Sequence, residues 1–250
     1  MKIIAVTQAR VGSSRLPAKI LKKFNNKTFL EIHLERVLKS KFINKLIVAT
    51  TALESEEPII QICEKLGISF YRGSEDDVLD RFYKAIQFED VDYVVRLTSD
   101  CPLIDPKLID EIIKRGLDKK VDYISNTLTE DFPDGQDVEL IKFETLEMAW
   151  KESSLKSDRE HVTPYIRRNS TFYGKKKFMS LDFISSKNYN NVRMTIDEIE
   201  DYNTLINLLD CLGINKSWKE YSDFLVSNPQ IVSNNLILRN EGYIKSKNNE

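Results

Sequence analysis

The sequence predicts an α/β fold: a mixed, mainly parallel sheet flanked by helices, with a small inserted α+β segment. Three observations lead there. Short apolar runs alternate with longer amphipathic ones through the first half of the chain, the rhythm of strands separated by crossover helices. Those runs are apolar at nearly every position, which suits strands covered on both faces. The 250 residues are enough for one domain whose core needs no metal or disulfide staple.

The elements are expected in the following order. Residues 3–6 form a strand, 28–39 a helix, 45–50 a strand and 57–66 a helix. Strand 69–72, helix 78–88, strand 93–97 and helix 106–115 continue the alternation. Around 121–128 the rhythm breaks, and residues 131–136 contain a Pro133-Asp134-Gly135 turn signal. Residues 138–185 read as the inserted segment, with a strand at 138–141, helices at 143–151 and 157–167, and extended chain at 173–184. A last helix is expected at 201–212, and the Lys- and Asn-rich tail after Asn240 is expected to fray. The whole of 1–250 is taken as one domain.

Composition removes several function classes. Lys and Arg number 37 against 39 Asp and Glu, a formal charge of −2, which leaves no electrostatic footprint for nucleic acid. No apolar run approaches the roughly 20 residues that a membrane helix needs. The start, Met1 to Gln8, has too short an apolar stretch for a signal peptide and runs at once to Arg10 and Arg15, so a cytoplasmic location is expected. Cys63, Cys101 and Cys211 are odd in number and far apart, matching neither a disulfide framework nor zinc spacing.

Chemistry is concentrated after the first strand, in residues 8–19, Gln-Ala-Arg-Val-Gly-Ser-Ser-Arg-Leu-Pro-Ala-Lys. A loop there lies at the sheet edge where ligands bind in open α/β sheets. Gly12 permits close backbone approach, Ser13 and Ser14 offer hydroxyls, and Arg10, Arg15 and Lys19 can neutralise a polyphosphate. The loop is neither a Walker A nor a Gly-x-Gly-x-x-Gly motif. The same composition also suits a plain basic turn closed by Pro17. Asp100 follows the apolar run 93–97, and Asp197 follows the run 192–196. Two carboxylates at strand ends can hold a divalent cation beside phosphates, although Asp197 or Glu198 alone equally suits a helix cap. Ser74, Asp77 and Arg81 stand where a short strand meets a helix. Asp134, Asp137 and Glu139 alternate along a turn and strand, either facing the cleft or as solvated acids. His161 lies in Asp158-Arg159-Glu160-His161, whereas His33, between Ile32 and Leu34, reads as structural.

Five segments carry a family resemblance: 9–19, Arg96-Leu-Thr-Ser-Asp-Cys-Pro-Leu-Ile-Asp105, Phe132-Pro-Asp-Gly-Gln-Asp-Val-Glu139, Arg159-Glu-His-Val-Thr-Pro-Tyr165 and Arg193-Met-Thr-Ile-Asp197. In order and spacing the chain resembles the cytidylyltransferases that make CMP-Kdo and CMP-sialate, and most of all their spore coat polysaccharide relatives of the SpsF type. The resemblance implies a fold of the nucleotide-diphospho-sugar transferase kind, similar to that of GT-A glycosyltransferases. It implies nucleotide contacts at Ala9, Arg10, Gly12, Ser13, Ser14, Arg15, Lys19, Ser74, Arg81 and Thr98, with Arg15, Lys19 and Asp100 at the reaction centre. Magnesium at Asp100 and Asp197, acceptor contacts at Glu139, Arg159 and His161, and a homodimer through 138–185 are also implied.

The loop Ser13-Ser14-Arg15-Leu16-Pro17 is closer to the Kdo type than to the sialate type, yet Thr98-Ser-Asp-Cys-Pro102 replaces the Gln-Gly-Asp-Glu-Pro pattern of the Kdo enzymes. The acceptor is therefore left open. The expected reaction joins CMP from CTP to a sugar acid or similar small acidic acceptor and releases pyrophosphate. A glycosyltransferase of the same architecture and a catalytically silent nucleotide-binding module are the alternatives.

Overall fold

The computed structural model describes residues 1–233 and Arg239; the expected frayed tail after Asn240 lies outside them. In chain order the elements are β1 (Ile3–Gln8), β2 (Lys23–Phe24), β3 (Lys27–Thr28), α1 (Phe29–Val37), β4 (Lys45–Thr51), α2 (Glu57–Leu66), β5 (Ser69–Gly73) and α3 (Val78–Ile86). Then come β6 (Tyr93–Thr98), α4 (Pro106–Lys119), β7 (Tyr123–Ser125), β8 (Glu139–Lys142), α5 (Phe143–Glu152), α6 (Lys156–His161), α7 (Pro164–Arg168), β9 (Ser180–Asp182), α8 (Ile199–Leu212) and α9 (Trp218–Ser227).

β2 and β3 form a small hairpin, and the other strands make one sheet in the order β5-β4-β1-β6-β8-β7-β9. In that sheet only β8 runs against the rest. The sheet is mixed and mainly parallel, as the alternation predicts. From β1 the chain crosses to β4 and β5 on one side, and then returns to β6 on the other side of β1. The carboxyl ends of β1 and β6 thus flank the topological switch point, where open sheets hold ligands.

The element boundaries follow local chemistry. Thr28 and Glu31 close a capping box on α1, and the Asp77 side chain caps α3. Asp105 caps α4 ahead of Pro106, whose missing N–H would have been unpaired in the first turn anyway. Ser217 and Glu220 box the start of α9, a helix the hydrophobic rhythm did not announce. Apolar residues of the central strands face opposite ways. Ile3, Ala5, Val95 and Leu97 pack under α1, α2 and α4, while Ile4, Val6 and Val94 pack under α3, α5 and α7. A third cluster joins Leu16 and Leu103 to α8, α9 and residues 189–196. No helix among the described residues is long and apolar enough to cross a membrane.

Three expectations need correction. The single helix expected at 157–167 is broken into α6 and α7: Thr163 N donates to His161 O across Val162, whose φ is 72°, a strained tight turn, and Pro164 then begins α7. The break in rhythm at 121–128 contains a strand, β7, of three residues, too short to show a period. Residues 192–196 are extended but lie outside the sheet. They make one isolated bridge, Asp134 to Arg193, with Asp134 N donating to Val192 O (2.9 Å) and Met194 N to Asp134 O (2.7 Å). Val192, Met194 and Ile196 enter the third core, so the alternation that suggests a sheet strand comes from packing against helices. The ribbon nevertheless reaches the same edge, because Ile196 N and Thr195 Oγ1 both donate to Asp100 O, at 2.8 and 3.0 Å.

Gly135 makes this docking possible. Its φ is +99°, and a Cβ there would sit 2.6 Å from Met194 C and 2.7 Å from Thr195 N. Gly135→Ala should destabilise the protein by more than about 1 kcal/mol, read as a lower urea midpoint at unchanged slope. An unchanged midpoint would mean that the turn does not bear on the ribbon.

His33 fixes the other side of the edge. Cys101 O can only accept, so His33 Nδ1 carries the proton (2.9 Å). Nε2 then accepts from Thr7 Oγ1 (3.0 Å), which accepts in turn from Ser99 Oγ (3.1 Å). The three side chains are buried, and burial lowers His33 to about 4, against the pull of its bond to Cys101. The unfolded chain therefore takes up the proton first. The contribution of His33 to stability is complete above its ordinary value near 6.5, is lost as pH falls from there towards about 4, and is constant below. Asp134 is shifted upward by burial and Asp137 and gives an opposing slope. The His33 share is therefore the difference between wild type and His33→Gln, which should shrink as pH falls from 6.5 to 5. A difference independent of pH would show that His33 titrates normally.

Candidate active site

The loop after β1 is anchored at both ends. Ala9 N still pairs with Ala49 O (3.1 Å), after which Val11 N and Thr50 Oγ1 both donate to Glu56 Oε2, at 2.9 and 3.2 Å. Glu56 is 1% exposed. Ala18 N returns to Val11 O (3.3 Å) and closes residues 12–17 into an excursion. Leu16 is buried in the third core and pins its middle, and Ser13 Oγ accepts from Leu16 N (3.4 Å). Arg10, Gly12, Ser14 and Arg15 stay exposed.

Lys19 opens a 3-10 turn, Lys19–Leu21, that swings its ammonium under the loop. Nζ lies 2.8 Å from Asp100 Oδ2 and 2.5 Å from Asp197 Oδ1. Its side chain is 15% exposed. Burial acts to lower the Lys19 ammonium, but Asp100 and Asp197 outweigh it and raise it above the ordinary lysine value. Burial likewise works to raise Asp100, yet Lys19 and the hydrogen bonds around it hold that acid down at about 2. Lys19 and Asp100 are therefore both charged at neutral pH. Arg15 joins them, with Nη2 3.3 Å from Asp197 Oδ1 and Nη1 3.5 Å from Glu198 Oε1.

Behind Asp197 stands Arg193. It donates to Asp197 Oδ2 (2.8 Å), to Asp201 Oδ1 and Oδ2 (2.8 and 3.0 Å), and to Asp134 Oδ2. Asp201 also accepts from the backbone N of Asp197 and Glu198, at 2.9 and 3.0 Å, and so caps α8.

The remaining expected residues form a second group. Arg10 pairs with Glu75 (3.5 Å). Arg81 is buried, its Nη1 donates to Ser74 O (2.6 Å), and its Nε has no hydrogen-bond partner among the described residues. Ser74 Oγ accepts from Asp77 N (3.1 Å). Arg159 places Nε and Nη2 on Asp77 Oδ2, at 2.9 and 2.6 Å, and Nη1 on Trp150 O. Thr98 Oγ1 lies 3.2 Å from Cys101 Sγ. Glu139 is buried and fully engaged: Oε1 accepts from Arg96 Nη1 (2.5 Å) and Oε2 from the Tyr123 hydroxyl. His161 is half-buried at the end of α6, and burial lowers it. Thus the structure gathers Arg15, Lys19, Asp100 and Asp197 at one point, and links Arg10, Ser74, Arg81 and Arg159 through the 74–77 turn. Glu139 faces Arg96 within the sheet.

Sequence reasoning did not select Glu56, Arg96, Arg193 or Asp201. Arg96 and Arg193 stand inside two of the motifs, and each is a cation interrupting an apolar extended run, which is the one signal that marks them. Among the described residues no group of three or more His, Cys, Asp or Glu side chains gathers as a metal cage. Two carboxylates presenting single oxygens to one cation do suit magnesium, which takes one or two carboxylates and completes its shell from water and phosphate.

Comparison with known proteins agrees with this geometry. The cytidylyltransferase family profile matches residues 4–238. The chain is similar to an uncharacterised protein of Methanocaldococcus jannaschii, 41% identical over 244 residues, which span 97% of this chain and 98% of that one. It is 34% identical over 208 residues to the spore coat polysaccharide biosynthesis protein SpsF of Bacillus subtilis, spanning 81% and 84% of the two chains. The solved structure of a cytidylyltransferase from Leptospira borgpetersenii superposes with a TM-score of 0.88 at 34% identity, over 96% of this chain and 100% of the other. The protein, a nucleotidyltransferase by fold and by sequence, belongs to the cytidylyltransferase family.

Proposed function

We propose that the protein transfers CMP from CTP to a sugar acid or similar small acidic acceptor for surface glycan synthesis, with magnesium and with release of pyrophosphate. The observation that carries the reading is the convergence of Asp100 and Asp197 on one ammonium supplied by the basic loop. Around that point four acids, Asp100, Asp197, Glu198 and Asp201, meet three cations, Arg15, Lys19 and Arg193, with Asp134, shifted upward by burial and Asp137, as a further partner of Arg193. A triphosphate would be repelled by this excess of negative charge unless a divalent cation came with it. Bound between Asp100 and Asp197, magnesium would supply charge neutralisation for the phosphates and the leaving pyrophosphate.

In the reaction an acceptor hydroxyl oxygen attacks the α-phosphorus in line, the bond from that phosphorus to the bridging oxygen breaks, and the hydroxyl proton leaves to solvent. The chain's own work is positioning and charge. Lys19 and Arg15 exchange their carboxylate partners for phosphate oxygens, and Arg10 can follow from Glu75. The exposed Gly12 and Ser14 let the loop backbone approach the phosphates. Ser74 and Arg81 shape the turn beside the nucleoside. Of the acceptor candidates, Glu139 acts by aiming Arg96, Arg159 by tying α6 to Asp77, and His161 from its half-buried place at the end of α6. The reaction is read as cytoplasmic.

A pyrophosphate-release screen of the four nucleoside triphosphates against sugar acids and phosphorylated acceptors tests the reading. Asp100→Asn and Asp197→Asn should each abolish most turnover while metal-free CTP binding survives, with the double variant little worse than either single one. Arg15→Ala should weaken CTP binding about tenfold, the worth of one partly exposed charge-assisted bond. Release from none of the triphosphates, or near-normal turnover in both asparagine variants, would end the proposal.

A homodimer through residues 138–185 belongs to the same reading. The segment contains β9, the last strand of the sheet, with Phe172, Tyr173, Met179 and Ile184 exposed around it, and clustered exposed apolar side chains favour association. Sedimentation at micromolar concentration should give twice the chain mass. A monomer there would dismiss the dimer.

A further inference from the structure

We infer that Arg193 is a positioning residue for the cation site, selecting which oxygen of Asp197 faces Lys19 and Asp100. The inference rests on the proposed function, because it concerns the cation that function requires.

A free carboxylate rotates and offers either oxygen, or both, to a cation. At Asp197 that freedom is removed. Arg193 Nη2 occupies Oδ2 at 2.8 Å, which leaves Oδ1 as the oxygen directed at Lys19 (2.5 Å) and Arg15 (3.3 Å). The guanidinium is held in turn. Asp201 receives Nε and Nη2, and Asp134 receives Nη1. Asp201 is a rigid support, since it is buried and its Oδ2 also accepts from the backbone N of Asp197 and Glu198. One carboxylate therefore fixes both the main chain of Asp197 and the arginine that fixes its side chain.

A purely structural ion pair would be complete with Asp134 and Asp201. The third branch goes to Asp197, an acid that also meets the loop cations Arg15 and Lys19. That branch needs a planar fork whose donors diverge in fixed directions, which an ammonium lacks. Asp100 is presented in a matching way, with Oδ2 on Lys19 (2.8 Å) and Oδ1 beside the Cys101 thiol (3.8 Å). Two single oxygens are thus aimed at one point now filled by an ammonium. The positive charge of Arg193 works against a nearby cation, but loss of groups that orient metal-bound carboxylates usually costs 10- to 100-fold in metal affinity, so orientation should win.

The test is a Mn2+ titration with CTP and no acceptor, followed by electron paramagnetic resonance, so that no turnover enters the reading. Arg193→Gln should weaken Mn2+ binding to the enzyme–CTP complex by about 10- to 100-fold, while CTP affinity in EDTA stays within about twofold, the margin by which a group remote from phosphate should move it. Arg193→Lys, whose ammonium can keep Asp134 and Asp201 but cannot also reach Asp197, should fold and still bind Mn2+ weakly. If Arg193→Gln does not fold, the lysine variant decides. A folded variant with a lower unfolding midpoint and unchanged Mn2+ affinity would make Arg193 structural only and overturn the inference. Asp197→Asn separates the two levels. If it also leaves Mn2+ binding unchanged, the cation site itself is wrong; if it weakens binding and the Arg193 variants do not, only the role of Arg193 falls.

Discussion

Lys19 Nζ joins two carboxylates that reach the sheet edge from distant parts of the chain, and most of the surrounding structure is arranged to make that meeting tolerable. Partly burying an ammonium and two carboxylates is unfavourable unless each charge is paired and its remaining hydrogen-bonding capacity met. Here Asp100 Oδ2 and Asp197 Oδ1 share the ammonium, and Asp197 Oδ2 turns to Arg193. Removing one member would leave the others uncompensated, which makes the cluster an interlocked unit rather than a sum of pairs. A single exposed salt bridge would contribute little.

The backbone around the cluster is held with equal care. Asp100 O accepts from both Ile196 and Thr195, so the two acid-bearing segments are joined through the main chain before their side chains meet. His33 holds Cys101, and through Thr7 it holds Ser99, the residues on either side of Asp100. Glu56 performs the same service for the loop, gripping Val11 from beneath β4. Gln136 donates to Leu103 O and accepts from Asp105 N, and the other carboxylate oxygen of Asp105 receives Trp218 N from the start of α9. The crevice is thereby framed by buried supports, with Gly12, Ser14 and Arg15 of the loop exposed at its mouth.

What was legible in the sequence follows from range. The alternation from β1 to α4 could be read because strands and helices there obey local periods, and the apolar runs are long enough to show them. Asp100, Asp197 and Lys19 could be read because each stands at the end of a recognisable run. Residues 192–196 could not be assigned correctly, since Val192, Met194 and Ile196 alternate as a strand would, and only their distant partners decide that they pack under α8 and α9. β7 is too short to carry a period. Glu56, Arg193 and Asp201 were passed over because an acid at a helix start, or an arginine in an extended run, looks like surface until its partner is known. The break between α6 and α7 was marked by Pro164, whose restraint on the residue before it disfavours a continuous helix.

The reversed strand explains why so much charge arrives at one place. In a wholly parallel sheet the amino ends of strands lie at the edge away from the ligand, and acids that precede a strand never reach the crevice. β8 runs against β6, pairing Glu139 with Arg96 near the carboxyl end of β6, so the turn before β8 is carried to the ligand edge. That turn contains Asp134, Gly135 and Asp137. Gly135 lets it lie against Met194 and Thr195, and the ribbon so held presents Arg193 to Asp134 on one side and to Asp197 on the other. The direction of one strand thus determines where the arginine stands, and the arginine determines which oxygen of Asp197 meets the loop.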